Sequence, residues 1–114
     1  MAFRVTITSD AERQFRSLPA RERRILEAAI VARLEQQPTT ETKAVKQLRP
    51  NPLAEFELRA GQLRALYNVE GGEVVILIVG RKEGNKLIVE GEAFYEHQDH
   101  PTKPPGSGPE KDTE

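Results

Sequence analysis

The chain has 114 residues, 37% hydrophobic and 31% charged, with 17 basic against 18 acidic side chains. That length supports one core, and a net charge of −1 excludes any function that needs a strongly basic or acidic whole. With no cysteine, disulfide frameworks and Cys–zinc sites are excluded, and a reducing cytoplasm is the expected setting. MAFRVTITSD lacks the basic head and apolar run of a signal peptide, and VVILIV is far too short to span a bilayer, so no membrane partner is expected.

Phe3 to Thr8 alternates as FRVTIT and predicts a half-buried strand with Phe3, Val5 and Ile7 on one face. Ser9-Asp10-Ala11-Glu12 reads as a capping box that opens a short helix with Ala11, Phe15 and Leu18 at core spacing. Pro19 starts a second helix, roughly Ala20 to Gln36. Leu26, Ile30 and Leu34 form its apolar row, with Ile25, Ala29 and Ala32 beside it, and Pro38 ends it. A polar connector, TTETKAVKQLRPNP, follows.

Three strands come next at hairpin spacing: Glu55 to Ala60, Leu63 to Val69 and Val74 to Gly80. Gly61-Gln62 predicts a type II′ turn and Gly71-Gly72 a type I′ turn. Counting the pleat outward from both turns puts Phe56, Leu58, Leu63, Ala65, Tyr67, Val74, Ile76 and Ile78 on one face, which the helices should cover. The other face collects Glu57, Arg59, Arg64, Leu66, Val75, Leu77, Val79 and Arg81. Lys86 to Val89 suggests a further short strand and Glu92 to His97 a last helical turn. From Gln98 the chain is rich in Pro, Gly and charge, so residues 1–97 form the expected domain and 98–114 a disordered tail. Without that tail, 15 basic and 14 acidic residues remain, and the distribution of charge matters more than its sum.

The hairpin places Arg59 directly across from Arg64, and like charges so placed destabilise a sheet. They are either neutralised locally, by Glu57, or used on something negative. The fold class these elements predict is α+β: an N-terminal strand and a two-helix hairpin on one face of a small, mainly antiparallel sheet.

SLPARERRILEAAI, then AVKQLRPN, then EFELRAGQLRALYNVEGGEVVILIVGRKEGN, in that order and spacing, resemble the RelE/ParE superfamily of type II toxin–antitoxin toxins over about Phe3 to Asn85. The resemblance implies a cytoplasmic bacterial toxin, neutralised by a cognate antitoxin. It implies a RelE-like endoribonuclease, an mRNA interferase that cuts ribosome-bound mRNA and inhibits translation without metal or cofactor. The alternative is a non-cleaving, protein-binding member, such as a gyrase inhibitor or an inactive relative. On the first reading the resemblance gives catalytic positions to Arg64 and Arg81, with Glu57 beside them as a candidate general base. A guanidinium fork suits such work because it matches phosphate geometry and stays protonated. Arg59, Lys43, Lys46, Arg49 and Lys82 are the further RNA-binding candidates. Leu66, Val75, Leu77 and Val79 form an apolar patch suited to an antitoxin segment.

The pattern also departs from RelE. Glu55 and Glu57 stand where RelE has two lysines, and Ile88 stands at the position of its general acid–base tyrosine. Tyr95 and His97 are the nearest other proton-transfer groups. Tyr67 shares the pleat phase of Phe56 and Ile76 and is expected in the core rather than in catalysis. His97 and His100 adjoin the tail and do not suggest a metal site, and GEVVILIVG lacks the spacing of a phosphate-binding loop.

Overall fold

A computed structural model describes residues 2–94 of the chain. Tyr95, His97, the end of the expected helical turn and the expected tail lie outside the described residues. Among the described residues seven strands form one sheet: β1 (Arg4–Ile7), β2 (Val45–Gln47), β3 (Phe56–Ala60), β4 (Leu63–Glu70), β5 (Glu73–Glu83), β6 (Lys86–Val89) and β7 (Glu92–Phe94). β2 through β7 follow one another across the sheet in antiparallel pairs, and β1 joins β5 in parallel. Helices α1 (Ser9–Arg16) and α2 (Ala20–Ala29) carry the rest, with α2 running into a π-helical turn, Ile30–Leu34. The α+β class read from the sequence is the observed one. Among the described residues no helix is long and apolar enough to cross a membrane.

Strand β5 is the spine of the sheet. β4 lies along one edge; on the other, β1 pairs with Glu73 to Ile76 and β6 with Arg81 to Glu83. The gap between β1 and β6 is closed by α1, whose buried Gln14 accepts the Val79 amide at 2.9 Å. A side-chain carbonyl thus stands in for a missing strand, as a buried amide requires.

The helix cap shifts by one residue from the expected capping box. Thr8, not Ser9, is the N-cap, and its hydroxyl accepts the Ala11 amide at 3.1 Å. The Thr8 amide still donates to the Ile76 carbonyl, so Thr8 keeps the extended backbone a cap needs and Ser9 is already helical. In α2 the apolar row is narrower than the periodicity suggests: Leu26 and Leu34 are buried, whereas Ile25 and Ala32 are exposed. Residues eight apart sit about 80° apart around an ideal α-helix. The wider π-turn takes up that difference and returns Leu34 to the line of Leu26.

Two other elements differ from the sequence reading. The connector contains β2, a three-residue strand paired with Phe56 to Leu58, and Glu92–Phe94 is strand β7 rather than helix. The Gly71-Gly72 turn has one left-handed residue, Gly71 at φ +63°, so it is of the II′ kind, not I′.

Strand β5 does not keep one pleat phase along its length. Tyr67 pairs with Ile76 but Leu66 pairs with Ile78, leaving Leu77 as the extra residue of a β-bulge. Beyond it every β5 side chain changes face. Val79 joins the helix-side core with Leu58, Ala65 and Tyr67, while Ile78 joins Leu66 on the opposite face.

That opposite face has its own small core. Leu66, Ile78, Leu87, Val89 and Ala54 cluster there, with Leu48, Leu53 and Leu77 packed against them. Asn51 folds the connector over it: its side-chain oxygen accepts the Leu53 and Ala54 amides at 2.7 and 3.2 Å, and its amide donates to the Arg49 and Ala54 carbonyls. On the helix side, Tyr67 stacks on Phe56 with ring centroids 5.5 Å apart and donates its hydroxyl to the Pro38 carbonyl. Burial pushes its phenol well above the ordinary range, so the donor stays protonated. Tyr67 is a core residue, as expected.

Gly80 lies where β6 crosses closest. A Cβ added there would stand 2.5 Å from the Ile88 carbonyl oxygen, backbone that cannot swing away. Gly80→Ala should therefore cost about 1–3 kcal/mol, the usual range for overpacking, measured by urea unfolding; wild-type stability would mean β6 is not held against β5.

Candidate functional site: a basic cleft at the β3–β4 turn

The β3–β4 register pairs Arg59 with Arg64 and Glu57 with Leu66, as the pleat count anticipated. Glu57 is 1% exposed. Its carboxylate accepts from Arg59 Nε at 3.0 Å, and its other oxygen lies 3.9 Å from Arg64 Nε. The like-charge pair is thus bridged from below by one buried anion. Arg64 is itself buried, and one of its terminal nitrogens donates to the Gly61 and Leu63 carbonyls at 2.8 and 2.9 Å. The left-handed Gly61, φ +62°, makes the tight turn whose carbonyl Arg64 reaches. Both guanidiniums are held by groups on their own hairpin, which fixes their direction before anything binds.

Above them opens a cleft of about 640 Å³ lined by Arg33, Thr42, Lys43, Ala44, Arg59, Gly61 and Arg64. Four of its seven lining residues are cationic and none is acidic. Lys43 arrives on the connector, which Thr42 orders by accepting the Ala44 and Val45 amides at 3.0 and 3.2 Å. Arg33 comes from the π-turn, next to the buried Leu34. The sequence reading missed Arg33, because an arginine on a helix flank carries no mark until the helix is docked beside the hairpin. A concave wall of guanidinium and ammonium groups suits a phosphate chain, whose charges it meets by fork and by point.

The other nominated cations scatter. Arg81 pairs in register with Leu63, so the bulge turns it to the helix side, where it forms an ion pair with Glu22 of α2. It does not share a face with Arg64, as the pleat count had it. Lys82 does: it lies two residues beyond Gly80, the partner of Arg64, and its amide donates to the Gln62 carbonyl. Lys46 is exposed opposite Glu57 on β2, and Arg49 is exposed in the connector. Ile88 pairs with Arg81 in β6 and brings no proton-transfer group. The apolar patch is likewise broken up. Leu66 and Val79 are fully buried in different cores, and only Val75 and Leu77 are half-exposed. The expected open face is roofed by the connector and β6.

Glu57 does not present itself as a general base. A carboxylate at 1% exposure between two guanidiniums orients them, and it can reach a substrate proton only by releasing them.

No family model and no curated protein sequence matches the chain. Solved structures do. The toxin–antitoxin complex RelBE2 from Mycobacterium tuberculosis contains a chain 27% identical, with a TM-score of 0.62, over 72% of this chain and 100% of that one. The archaeal RelE–RelB complex from Pyrococcus horikoshii contains one 25% identical, with a TM-score of 0.59, over 74% and 98%. With its two helices on a mainly antiparallel sheet and this likeness along nearly the full length of those chains, the protein is RelE-like.

Proposed function

We propose that this chain is the toxin of a type II toxin–antitoxin pair and acts as a ribosome-dependent endoribonuclease on mRNA in the bacterial cytoplasm, held inactive by a cognate antitoxin. One observation carries this reading: the cleft that gathers Arg33, Lys43, Arg59 and Arg64 on a RelE-like scaffold, with two of the four pre-aligned by Glu57. In the cleft the RNA backbone lies against Lys43 and Arg33, and Arg59 and Arg64 face the scissile phosphate. Attack by the adjacent 2′-hydroxyl on phosphorus, its proton passing to water, forms a 2′,3′-cyclic phosphate and breaks the bond to the 5′-oxygen, which takes a proton from water; negative charge builds on the equatorial oxygens as it does so. Guanidiniums already fixed in direction stabilise that charge without reorganising, the largest single contribution such a site makes. Glu57 is a positioning residue. Neutralisation needs no change of shape, since an antitoxin carboxylate seated in the cleft excludes RNA.

A second reading, a protein-binding member that does not cleave, is favoured by the burial of Glu57 and by Ile88 standing at the tyrosine position, which leave the cleft without an exposed acid–base group among the described residues. The two readings part in a cell. Induction of this protein alone should stop methionine incorporation before thymidine incorporation; early loss of thymidine incorporation would mean a target in DNA replication and reject the ribonuclease.

Binding separates the cleft from the scattered cations. Lys43→Ala and Arg59→Ala should each weaken single-stranded RNA binding and flatten the slope of log K against log salt by about 0.7, the value of one lost phosphate contact. Arg49→Ala should change neither. Equal effects at all three positions would make the attraction a diffuse property of the surface.

Glu57→Gln tests pre-alignment. Without the anion, Arg64 keeps a buried charge with no opposite charge beside it, so the variant should lose about 3 kcal/mol of stability and cleavage should fall further than RNA affinity. Unchanged unfolding would show that Glu57 is not the hub of the cluster.

A further inference from the structure

The connector brings one uncharged hydrogen-bonding side chain into the cationic cleft. Thr42 is exposed and lines it together with Arg33, Lys43, Arg59 and Arg64. Its backbone is pinned on both sides: the Thr42 amide donates to the Val45 carbonyl at 2.9 Å, and the Arg59 amide ties the Ala44 carbonyl to β3 at 2.7 Å. The Thr42 hydroxyl oxygen accepts the Ala44 and Val45 amides at 3.0 and 3.2 Å. A threonine hydroxyl has two acceptor lone pairs and one proton. Both lone pairs are occupied here, so toward anything else the group acts only as a donor.

That proton meets no acceptor among the described residues. Glu41, the neighbouring acid, accepts the Gln47 amide at 2.8 Å, and no carboxylate lines the cleft. The polar side chains of the lining are three guanidiniums, one ammonium and this hydroxyl. All of them donate and none has an acceptor to offer. A phosphodiester, rich in oxygen and without protons of its own, is the matching ligand, and threonine hydroxyls serve as phosphate partners beside arginine and lysine.

We propose that Thr42 is a substrate-contact residue that donates its hydroxyl proton to a non-bridging phosphate oxygen of RNA in the cleft. The inference rests on the cleft being the RNA site and adds an uncharged contact to it. The cations attract the backbone over a range of angles, whereas a hydrogen bond from a hydroxyl fixed by two amides holds one oxygen in one direction. Thr42 therefore sets which phosphate stops beside Arg59 and Arg64.

A neutral contact releases no counterion, so salt distinguishes it from its cationic neighbours. The test is binding of a single-stranded RNA oligonucleotide over a series of salt concentrations, with a thermal melt of each variant. Thr42→Val, nearly the same shape, should weaken binding about tenfold at every salt concentration and leave the slope of log K against log salt unchanged. Thr42→Ser keeps the proton and both lone pairs and should bind within about twofold of wild type. Thr40→Val, outside the lining, should bind as wild type does. If Thr42 only orders the connector, Thr42→Val releases Lys43 and the slope flattens by about 0.7; that result overturns the proposal. So does wild-type affinity in Thr42→Val, and so does a Thr42→Ser variant that binds no better than Thr42→Val. Each of these leaves the cleft as the RNA site, whereas a wild-type chain that binds no RNA overturns that reading and the contact together.

Discussion

One extra residue in β5 decides which side chains of this protein meet. Leu77 has no cross-strand partner, and the bulge it makes reverses the faces of all that follows. Val79 enters the helix-side core, Ile78 leaves it, and Arg81 is carried from the arginine face to an ion pair under α2. Without the bulge Ile78 would pair with Ala65 and take the helix-side place of Val79, and Val79 would fall opposite Arg64. The bulge also frees the Val79 amide on the edge between β1 and β6, where Gln14 receives it. Packing, the docking of α1 and the composition of the cleft all follow from that insertion.

What the bulge removes from the arginine face, Glu57 organises in what remains. Two guanidiniums across a hairpin repel each other, and a sheet holds them there only with an anion close by. Placing that anion beneath them, rather than in solvent, keeps the attraction from being screened and points both groups outward. The arrangement is costly to build and selective in use. A ligand must itself bring negative charge to replace water on Arg59 and Arg64, and a phosphodiester does so with the right geometry. A whole-chain charge of −1 hides this local field completely.

The order of strands and helices was legible because it rests on signals of short range: alternation in FRVTIT, the Pro19 joint, and glycines at hairpin turns. The Arg59–Arg64 pairing was legible for the same reason, since two residues of turn fix the register. Legibility ended wherever a distant partner made the choice. The bulge at Leu77 leaves no mark in VVILIVG, because every residue there is equally apolar and either phase looks sound. β2 is three residues of connector that become strand only against β3. The roof over Leu66 depends on Asn51, whose four hydrogen bonds fold a segment that reads as plain linker. Arg33 belongs to the cleft through the docking of a helix, not through anything adjacent in the chain.

The π-turn joins these threads. The eight-residue spacing of Leu26 and Leu34 leaves them about 80° apart on a regular α-helix, and one widened turn brings them into line. A π-turn is rare on its own account, so some other gain must hold it. Burial of Leu34 supplies that gain, at about 1.5–3 kcal/mol for a side chain of this size. Arg33 is attached to Leu34, so the leucine that anchors the turn also sets the arginine at the cleft wall. One local distortion therefore serves the core and the cleft together. A mutation that relaxed it by removing a residue between Ile30 and Ala32 would keep Leu34 buried and Arg33 in place, because seven residues of regular helix reach nearly the same direction.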